Sequence, residues 1–186
     1  GREYWDSDLD NCCFEFEGQF AVYGETVWAE NESNLAYYDG SSWSVTNQYF
    51  PTTNLIDLAV NSQGVFAIDE NYRLYVNNRF DEWETTVDLS SIAASSSVRP
   101  TLISINNVMY LHLGGLRRFD GEQWDKISQF VNDGVFVGQT DTRIWIQTSS
   151  AVLVSFNVEL NESEFYTAEQ LGISSDTRIQ NVFSGR

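Results

Sequence analysis

Lysine is almost absent from this chain. Its 186 residues include ten basic and 27 acidic ones, which gives a formal net charge of −17, and Lys126 is the only lysine. A protein that binds nucleic acid or an anionic membrane needs a basic face to neutralise phosphates. The composition therefore argues against both partners. It suits a secreted surface kept soluble by charge, which we favour, or a protein that lives in high salt.

Long apolar runs and helical patterns are also missing. No apolar run reaches the roughly 18 residues that a membrane-spanning helix needs, so we expect no membrane insertion. The chain has two prolines and no extended run with helical periodicity, which predicts little helix. Clusters of Gly, Asp, Asn and Ser break the sequence about every ten residues, as turns do between short strands. An all-β fold follows.

Cysteine and histidine are too scarce for a metal site of the zinc type. Cys12 and Cys13 are adjacent, and a bridge between them would be strained. We therefore expect free thiols, or disulfides to cysteines outside this chain if the compartment is oxidising. The single histidine, His112, lies about 100 residues away, so a Cys/His zinc site is not supported. No cofactor is expected.

One short motif recurs along the chain. Tyr37-Tyr38-Asp39-Gly40-Ser41-Ser42-Trp43 returns as Asn78 to Trp83, as Arg118 to Trp124, and faintly as Phe156 to Phe165. The closing aromatics are 40, 41 and 41 residues apart: Trp43, Trp83, Trp124 and Phe165. Trp5 lies 38 residues before the first of them. A period of about 40 residues in an all-strand pattern predicts β-propeller blades.

Each unit contains four predicted strands. Asp and Gly form a tight turn between the last two, so the flanking aromatics should face each other across a hairpin and be mostly buried. The preceding strand carries an aromatic of its own, and an apolar strand lies before that. We place the units at about 14–47, 54–89, 100–131 and 133–167. Residues 90–97 form an insertion, expected as a surface loop with a short helical turn.

The two ends of the chain predict single strands. Tyr4-Trp5 is typical of an outer strand, and Thr177 to Phe183 of an innermost strand. Either more polypeptide completes these blades, or another copy does, since natural proteins cover unpaired strand edges. The chain starts with Gly1-Arg2, so we expect a processed product, an excised segment or a recombinant piece, from which any targeting signal has been removed.

Two of the units resemble a known repeat family. Leu35 to Trp43 and Leu116 to Trp124 resemble two-component-regulator propeller repeats and, more loosely, kelch repeats, whose double glycine occurs only at Gly114-Gly115. The resemblance covers nearly the whole chain through short motifs. It implies a β-propeller used as a ligand-sensing ectodomain, a protein-interaction module or a building block of a surface protein. It supplies no catalytic residue.

Two Asn-x-Ser triplets, at Asn31 and Asn161, fall in predicted loops where a glycan could be tolerated. We expect an extracellular or cell-surface protein, periplasmic if the source is bacterial. Asp6, Asp8 and Asp10 alternate as calcium ligands do, but the glycine and distal Glu of the usual loop are missing. A solvated acidic turn is the favoured interpretation.

The favoured function is a non-catalytic binding or assembly module with a protein or carbohydrate ligand. One alternative is a structural subunit whose incomplete ends pair between copies in a homo-oligomer or filament. Another is a glycan-active enzyme, for which Asp69-Glu70 or Asp81-Glu82 would be the acid pair. Such pairs arise by chance in an acidic chain. His112, on a predicted strand, is expected to be structural rather than catalytic.

Overall fold

The computed structural model describes residues 19–31, 34–49, 54–78, 82–94, 96, 98–127, 134–148, 152–174, 176–180 and 182. These residues form four antiparallel sheets of four strands each, in which sequential strands are neighbours. The predicted all-β fold with four four-stranded β-propeller blades is confirmed. No helix in these residues is long and apolar enough to cross a membrane.

The strands follow one another in chain order. The first sheet contains β1 (Phe20–Tyr23), β2 (Thr26–Asn31), β3 (Asn34–Tyr38) and β4 (Trp43–Tyr49). The second contains β5 (Leu55–Asn61), β6 (Gly64–Asp69), β7 (Arg73–Asn78) and β8 (Glu82–Asp88). The third contains β9 (Thr101–Ile105), β10 (Val108–His112), β11 (Leu116–Phe119) and β12 (Trp124–Lys126). The fourth contains β13 (Val135–Gln139), β14 (Arg143–Gln147), β15 (Leu153–Asn157) and β16 (Glu162–Tyr166).

Two helices of four residues each accompany the sheets. Helix α1 (Ser90–Ala93) lies in the connection between the second and third sheets, where the sequence predicts a helical turn. Helix α2 (Ala168–Leu171) follows the fourth sheet and was not predicted. Its signals are local: Thr167 and Gln170 form a reciprocal capping box, and Gly172 ends the helix in the left-handed conformation at φ 66°. A helix this short leaves no periodicity to detect.

The recurring Asp of the motif shapes the outer hairpin of a blade. Oδ1 of Asp39 accepts hydrogen bonds from the backbone N–H groups of Ser41 and Ser42, each at 2.9 Å. In the same way, Oδ1 of Asp120 accepts hydrogen bonds from the backbone N–H groups of Glu122 and Gln123, each at 2.8 Å. The fourth sheet uses Asn157 instead, at 3.0 and 3.1 Å. These Asx turns set the register in which Tyr38 faces Trp43 and Phe119 faces Trp124.

The sheets pack face to face in sequence. We call the side of a sheet that contacts the following sheet its forward face, and the side that contacts the preceding sheet its rear face. Each forward face has an aromatic residue on its second strand beside a leucine on its third. These pairs are Trp28 and Leu35, Phe66 and Leu74, Tyr110 and Leu116, and Trp145 and Leu153.

The first three of these pairs are buried in the interfaces between sheets. Trp28 and Leu35 pack against Val65 and Ala67 of the second sheet. Phe66 meets Phe119 of the third sheet edge-on, with 5.4 Å between ring centroids. Tyr110 meets Phe156 of the fourth sheet in the same manner, at 6.4 Å. The hydrophobic core is therefore divided into one cluster for each pair of neighbouring sheets.

The C-terminal segment, where the sequence predicts an additional innermost strand, contacts β13 at one point, and its described residues form an isolated bridge and no regular strand. Val182 forms an isolated parallel bridge with Gly138, and its N–H donates to the Val137 carbonyl at 2.8 Å. Gly138 has φ 151°, and a Cβ there would overlap the backbone of Val182. A glycine is therefore required where Val182 lies against β13.

Replacing Gly138 with alanine should lower the free energy of unfolding by about 1–3 kcal/mol. The new Cβ would overlap the Val182 backbone, and alanine disfavours the φ that Gly138 adopts. Gly24→Ala is the matched control, since Gly24 has φ 60° but nothing within 4 Å of a new Cβ. Urea denaturation measures both costs. Hydrogen exchange should also become faster at residues 177–180 in Gly138→Ala only. Equal losses of stability and equal hydrogen exchange in the two variants would contradict the close contact between Gly138 and Val182.

Candidate binding surfaces

Asp69 is fully occupied by a structural role. Its side chain is 1% exposed. Oδ1 accepts from the backbone N–H groups of Asn71 at 2.9 Å and Arg73 at 2.8 Å, and Oδ2 accepts from the Tyr75 hydroxyl at 3.2 Å. A carboxylate buried in this way closes the β6–β7 turn and has no solvent-facing oxygen for acid–base chemistry. In the other predicted acid pair, Asp81 and the side chain of Glu82 lie outside the described residues.

Polar side chains of the first, second and fourth sheets bond the segment that follows at one end of the stack, where the innermost strands begin. We call this the leading end. Glu30 accepts a hydrogen bond from the backbone of Leu55 at the start of β5. Asp57 accepts from Leu102 N–H in β9 at 2.5 Å and from its neighbour Leu58 at 3.0 Å. Both carboxylates lie between sheets, and burial raises the pKa of each, that of Asp57 to about 6.

Gln147 of the fourth sheet bonds the backbone of the C-terminal segment. Its Nε2 donates to the Thr177 carbonyl at 2.8 Å, and its Oε1 accepts from Ile179 N–H at 2.9 Å. Gln147 pairs with Leu153 in the sheet as Glu30 pairs with Leu35. The two residues therefore have the same place in their sheets, and the C-terminal segment is held as β5 is held.

His112 is the corresponding residue of the third sheet, since it pairs with Leu116. It is 0% exposed, and neither ring nitrogen has a hydrogen-bond partner among the residues that the structure describes. Burial lowers its pKa to about 4, and the positive charge of Arg117 acts in the same direction. The expectation of a structural histidine agrees with this position inside an interface. The side chain is neutral near pH 7.

The recurring aromatics are less buried than predicted. Trp43, Trp83 and Trp124 are partly buried, and Phe165 is 53% exposed. The physical reason is their place on the outermost strand, where a ring is covered on one side only. Trp83 and Trp124 pack on the interfaces with the first and second sheets, respectively. Trp43 contacts Tyr38 of its own sheet, with 5.6 Å between ring centroids.

The rear face of the first sheet exposes a set of large apolar side chains. Phe20 is 53% exposed, Val22 66% and Val45 42%. Phe20 and Val45 belong to one cross-strand row, and Val22 belongs to the next row with Tyr38 and Trp43. In the second, third and fourth sheets, the same face packs against a preceding sheet. This face thus has the chemistry of an interface, which sequence reasoning did not identify.

A cleft opens at the leading end between the second and third sheets. It has a volume of about 390 Å³ and is lined by Ile56, Glu70, Tyr72, Ser96, Val98 and Arg99. Arg99 is exposed, and its Nη2 donates to the Ile56 carbonyl at 2.6 Å. Tyr72 has a left-handed backbone at φ 60°. No sequence motif marks this cleft, because its walls come from three separate segments, around Ile56, around Glu70 and Tyr72, and from Ser96 to Arg99.

Several predicted sites lie outside the described residues. They are the acidic residues Asp6, Asp8 and Asp10, and the cysteines Cys12 and Cys13. Of the glycosylation candidates, Asn31 ends β2, and Asn161 is exposed in the β15–β16 turn with φ 56°; glycans there stay predictions. Within the described ranges, no group of three or more His, Cys, Asp or Glu side chains could hold a metal ion.

Comparison with known structures supports the fold. The extracellular domain of BT4673 from Bacteroides thetaiotaomicron, described as part of a one-component system, aligns with 98% of this chain at a TM-score of 0.59 and 12% identity. PorZ, a surface component of the type IX secretion system of Porphyromonas gingivalis, aligns with 81% at 0.55 and 13% identity. The N-terminal domain of Nup159 aligns with 83% at 0.54 and 12% identity.

The chain spans only part of these structures: 26% of the BT4673 domain, 20% of PorZ and 45% of the Nup159 domain. At such low identity the likeness shows the β-propeller fold alone. A comparison with protein-family models found no match, and a comparison with curated protein sequences found no significant match.

Trp124→Ala should lower the free energy of unfolding by about 3 kcal/mol, because the ring packs on Phe119 and on the interface between the second and third sheets. Phe165→Ala should cost less than about 1 kcal/mol, because about half of the ring is already in water. Chemical denaturation of both variants tests the difference. Equal costs would show that the fourth unit uses its closing aromatic as the third does.

His112 should make the protein less stable in acid. Its folded pKa of about 4 lies below the unfolded value of 6.5, so the unfolded state binds the proton first as the pH falls. Between about pH 7 and pH 5 this should cost about 2 kcal/mol. Asp57 acts in the opposite direction, because its folded pKa of about 6 lies above the model-peptide value of 3.8.

The two groups can be separated by substitution. His112→Gln should remove the acid-induced loss of stability, and Asp57→Asn should expose it in full. Urea midpoints of both variants and the wild type at the two pH values provide the measurement. An unchanged pH dependence in His112→Gln would show that this histidine is not the titrating group.

Proposed function

We propose that this chain is a non-catalytic interaction and assembly module of an extracellular or cell-surface protein. The observation that carries the proposal is the exposed apolar rear face of the first sheet, where Val22 is 66% and Val45 42% exposed. Large apolar patches on soluble proteins are typical of protein-binding sites. A non-catalytic role is also favoured by the structural use of Asp39, Asp69 and Asp120, described above.

The occupant that fits this face is a forward face. Every other rear face among the described sheets is covered by an aromatic–leucine pair of the preceding sheet. The fourth sheet carries such a pair on its forward face. Leu153 is already buried there and Gln147 holds the C-terminal segment, but Trp145 is only partly buried and Val135 is 61% exposed. We therefore assign a second copy of this chain as the partner, with the part of its fourth sheet around Trp145 and Val135 against the first sheet. Such a head-to-tail contact builds a ring or a filament.

The neighbouring structures are consistent with this role. BT4673 contributes an extracellular domain and PorZ is a bacterial surface component. Propellers of this kind serve as interaction domains in proteins of several functions, so the fold supports a binding role without fixing the ligand. The alternative of a glycan-active enzyme is less favoured, because Asp69, one of its candidate acids, is buried and hydrogen-bonded within the β6–β7 turn.

Substitution at the two ends of the stack tests the head-to-tail contact. The wild-type chain should show concentration-dependent growth in sedimentation velocity. Val22→Asp, on the first sheet, and Val135→Asp, on the fourth, should each abolish it, because a charge would be buried at the contact. Leu160→Asp is the control, since Leu160 is 64% exposed in the β15–β16 turn.

Mixing the two defective variants gives the sharpest test. Each retains one intact face, so together they should form a dimer and nothing larger. A wild-type protein that stays monomeric, or a mixture that does not pair, would refute a second copy as the partner. Growth that survives both substitutions would place the contact elsewhere.

A further inference from the structure

We infer that the cleft at the leading end between the second and third sheets binds a small zwitterion with an apolar side chain, of the size of an amino acid or a short peptide. This site is independent of the proposed assembly surface, since none of its lining residues belongs to the first or fourth sheet. The inference combines the dimensions of the cleft, the charges at its rim and the way in which those charges are held.

The size and lining of the cleft suit a small ligand. Its volume of about 390 Å³ is within the ~300–1,000 Å³ of typical ligand sites. Ile56, Val98 and the ring of Tyr72 give it an apolar wall, and all three are partly buried. The Tyr72 ring also packs against the core between the second and third sheets, which holds one side of the wall in place.

The rim carries one exposed charge of each sign, and the partly buried Asp57 carboxylate lies within electrostatic reach of Arg99. Arg99 is a cation in a chain with only ten basic residues, and its bond to the Ile56 carbonyl fixes the guanidinium. A guanidinium has five N–H donors in a planar fork that matches a carboxylate. Glu70 is exposed, and its backbone is held by a hydrogen bond to the Asn54 carbonyl at 3.0 Å. A ligand with a carboxylate and an ammonium group satisfies both residues.

The wall that carries Arg99 belongs to the longest of the three connections between sheets. This connection runs from the end of β8 at Asp88 to the start of β9 at Thr101. Two hydrogen bonds tie it to the second sheet: Leu89 N–H donates to the Tyr72 carbonyl at 2.8 Å, and Arg99 Nη2 donates to the Ile56 carbonyl at 2.6 Å. These bonds hold the described residues Val98 and Arg99 opposite the β6–β7 turn, which supplies Glu70 and Tyr72.

Three related probes separate the two charge contacts. L-leucine carries both charges, N-acetyl-L-leucine lacks the ammonium group and L-leucinamide lacks the carboxylate. In NMR titrations of the ¹⁵N-labelled chain, leucine should shift the amide signals of Ile56, Ser96, Val98 and Arg99. Each capped probe should bind about tenfold more weakly, because a charged hydrogen bond is lost.

Variants of the two rim residues assign the contacts. Glu70→Gln should abolish the preference for leucine over N-acetyl-leucine and retain the preference over leucinamide. Arg99→Gln should do the reverse. Because Arg99 also holds Ile56, Arg99→Lys serves as a second variant that keeps the cation, and it should retain a preference for the carboxylate. Glu84→Gln and Arg118→Gln are the controls. Both residues are exposed and lie outside the cleft, so these variants should leave all three affinities unchanged.

The inference would be overturned if leucine shifted no cleft amide, or if the three probes bound equally. It would also fail if Glu70→Gln and Arg99→Gln weakened all probes alike, because that result would indicate a structural effect without charge recognition. Melting temperatures measured for each variant show whether the cleft has kept its fold.

Discussion

The structure depends on one repeated contact, in which the forward face of a sheet packs on the rear face of the next. A four-stranded sheet of this size is stable only when an apolar face is covered. Each forward face meets this need with an aromatic residue and a leucine at fixed positions. Because each interface is formed by neighbours in the sequence, the whole architecture follows from repeating one local solution.

Hydrogen bonds between sheets satisfy backbone groups that the apolar contact leaves without a partner. Backbone groups at the start of an innermost strand have no partner in their own sheet, and an unpaired buried N–H group is costly. Glu30, Asp57 and Gln147 supply acceptors from the preceding sheet. They also align neighbouring sheets along their length, which apolar packing alone does not specify. The third sheet has His112 at this place, whose ring has no hydrogen bond to any described residue. The interface with the fourth sheet is bridged elsewhere, by Gln139, whose Nε2 donates to the Ser104 carbonyl at 3.0 Å.

The sequence predicted the features that depend on local chemistry. The Asp–Gly turns and the pairing of Tyr38 with Trp43 follow from residues a few positions apart, and the period of about 40 residues predicted the four sheets. Asn157 could have been found as well, because Asn closes the same turn as Asp. The cleft around Arg99 could not have been predicted, since it depends on how the insertion packs against a distant turn. The exposure of Phe165 likewise depends on how far one sheet overlaps the next.

The division of the core into separate clusters has a consequence for how the chain unfolds. Among the described residues, each hydrophobic cluster joins two sheets that are neighbours in the sequence, so the stability of the stack is approximated by a sum of sheet terms and nearest-neighbour interface terms. The second and third sheets each take part in two of these clusters, and the first and fourth each take part in one. The second and third sheets, joined by the cluster that includes Phe66, Leu111 and Phe119, therefore form the most persistent part. We expect hydrogen exchange to be slowest in this pair of sheets, because local opening of a sheet that has fewer apolar interfaces costs less free energy than global unfolding.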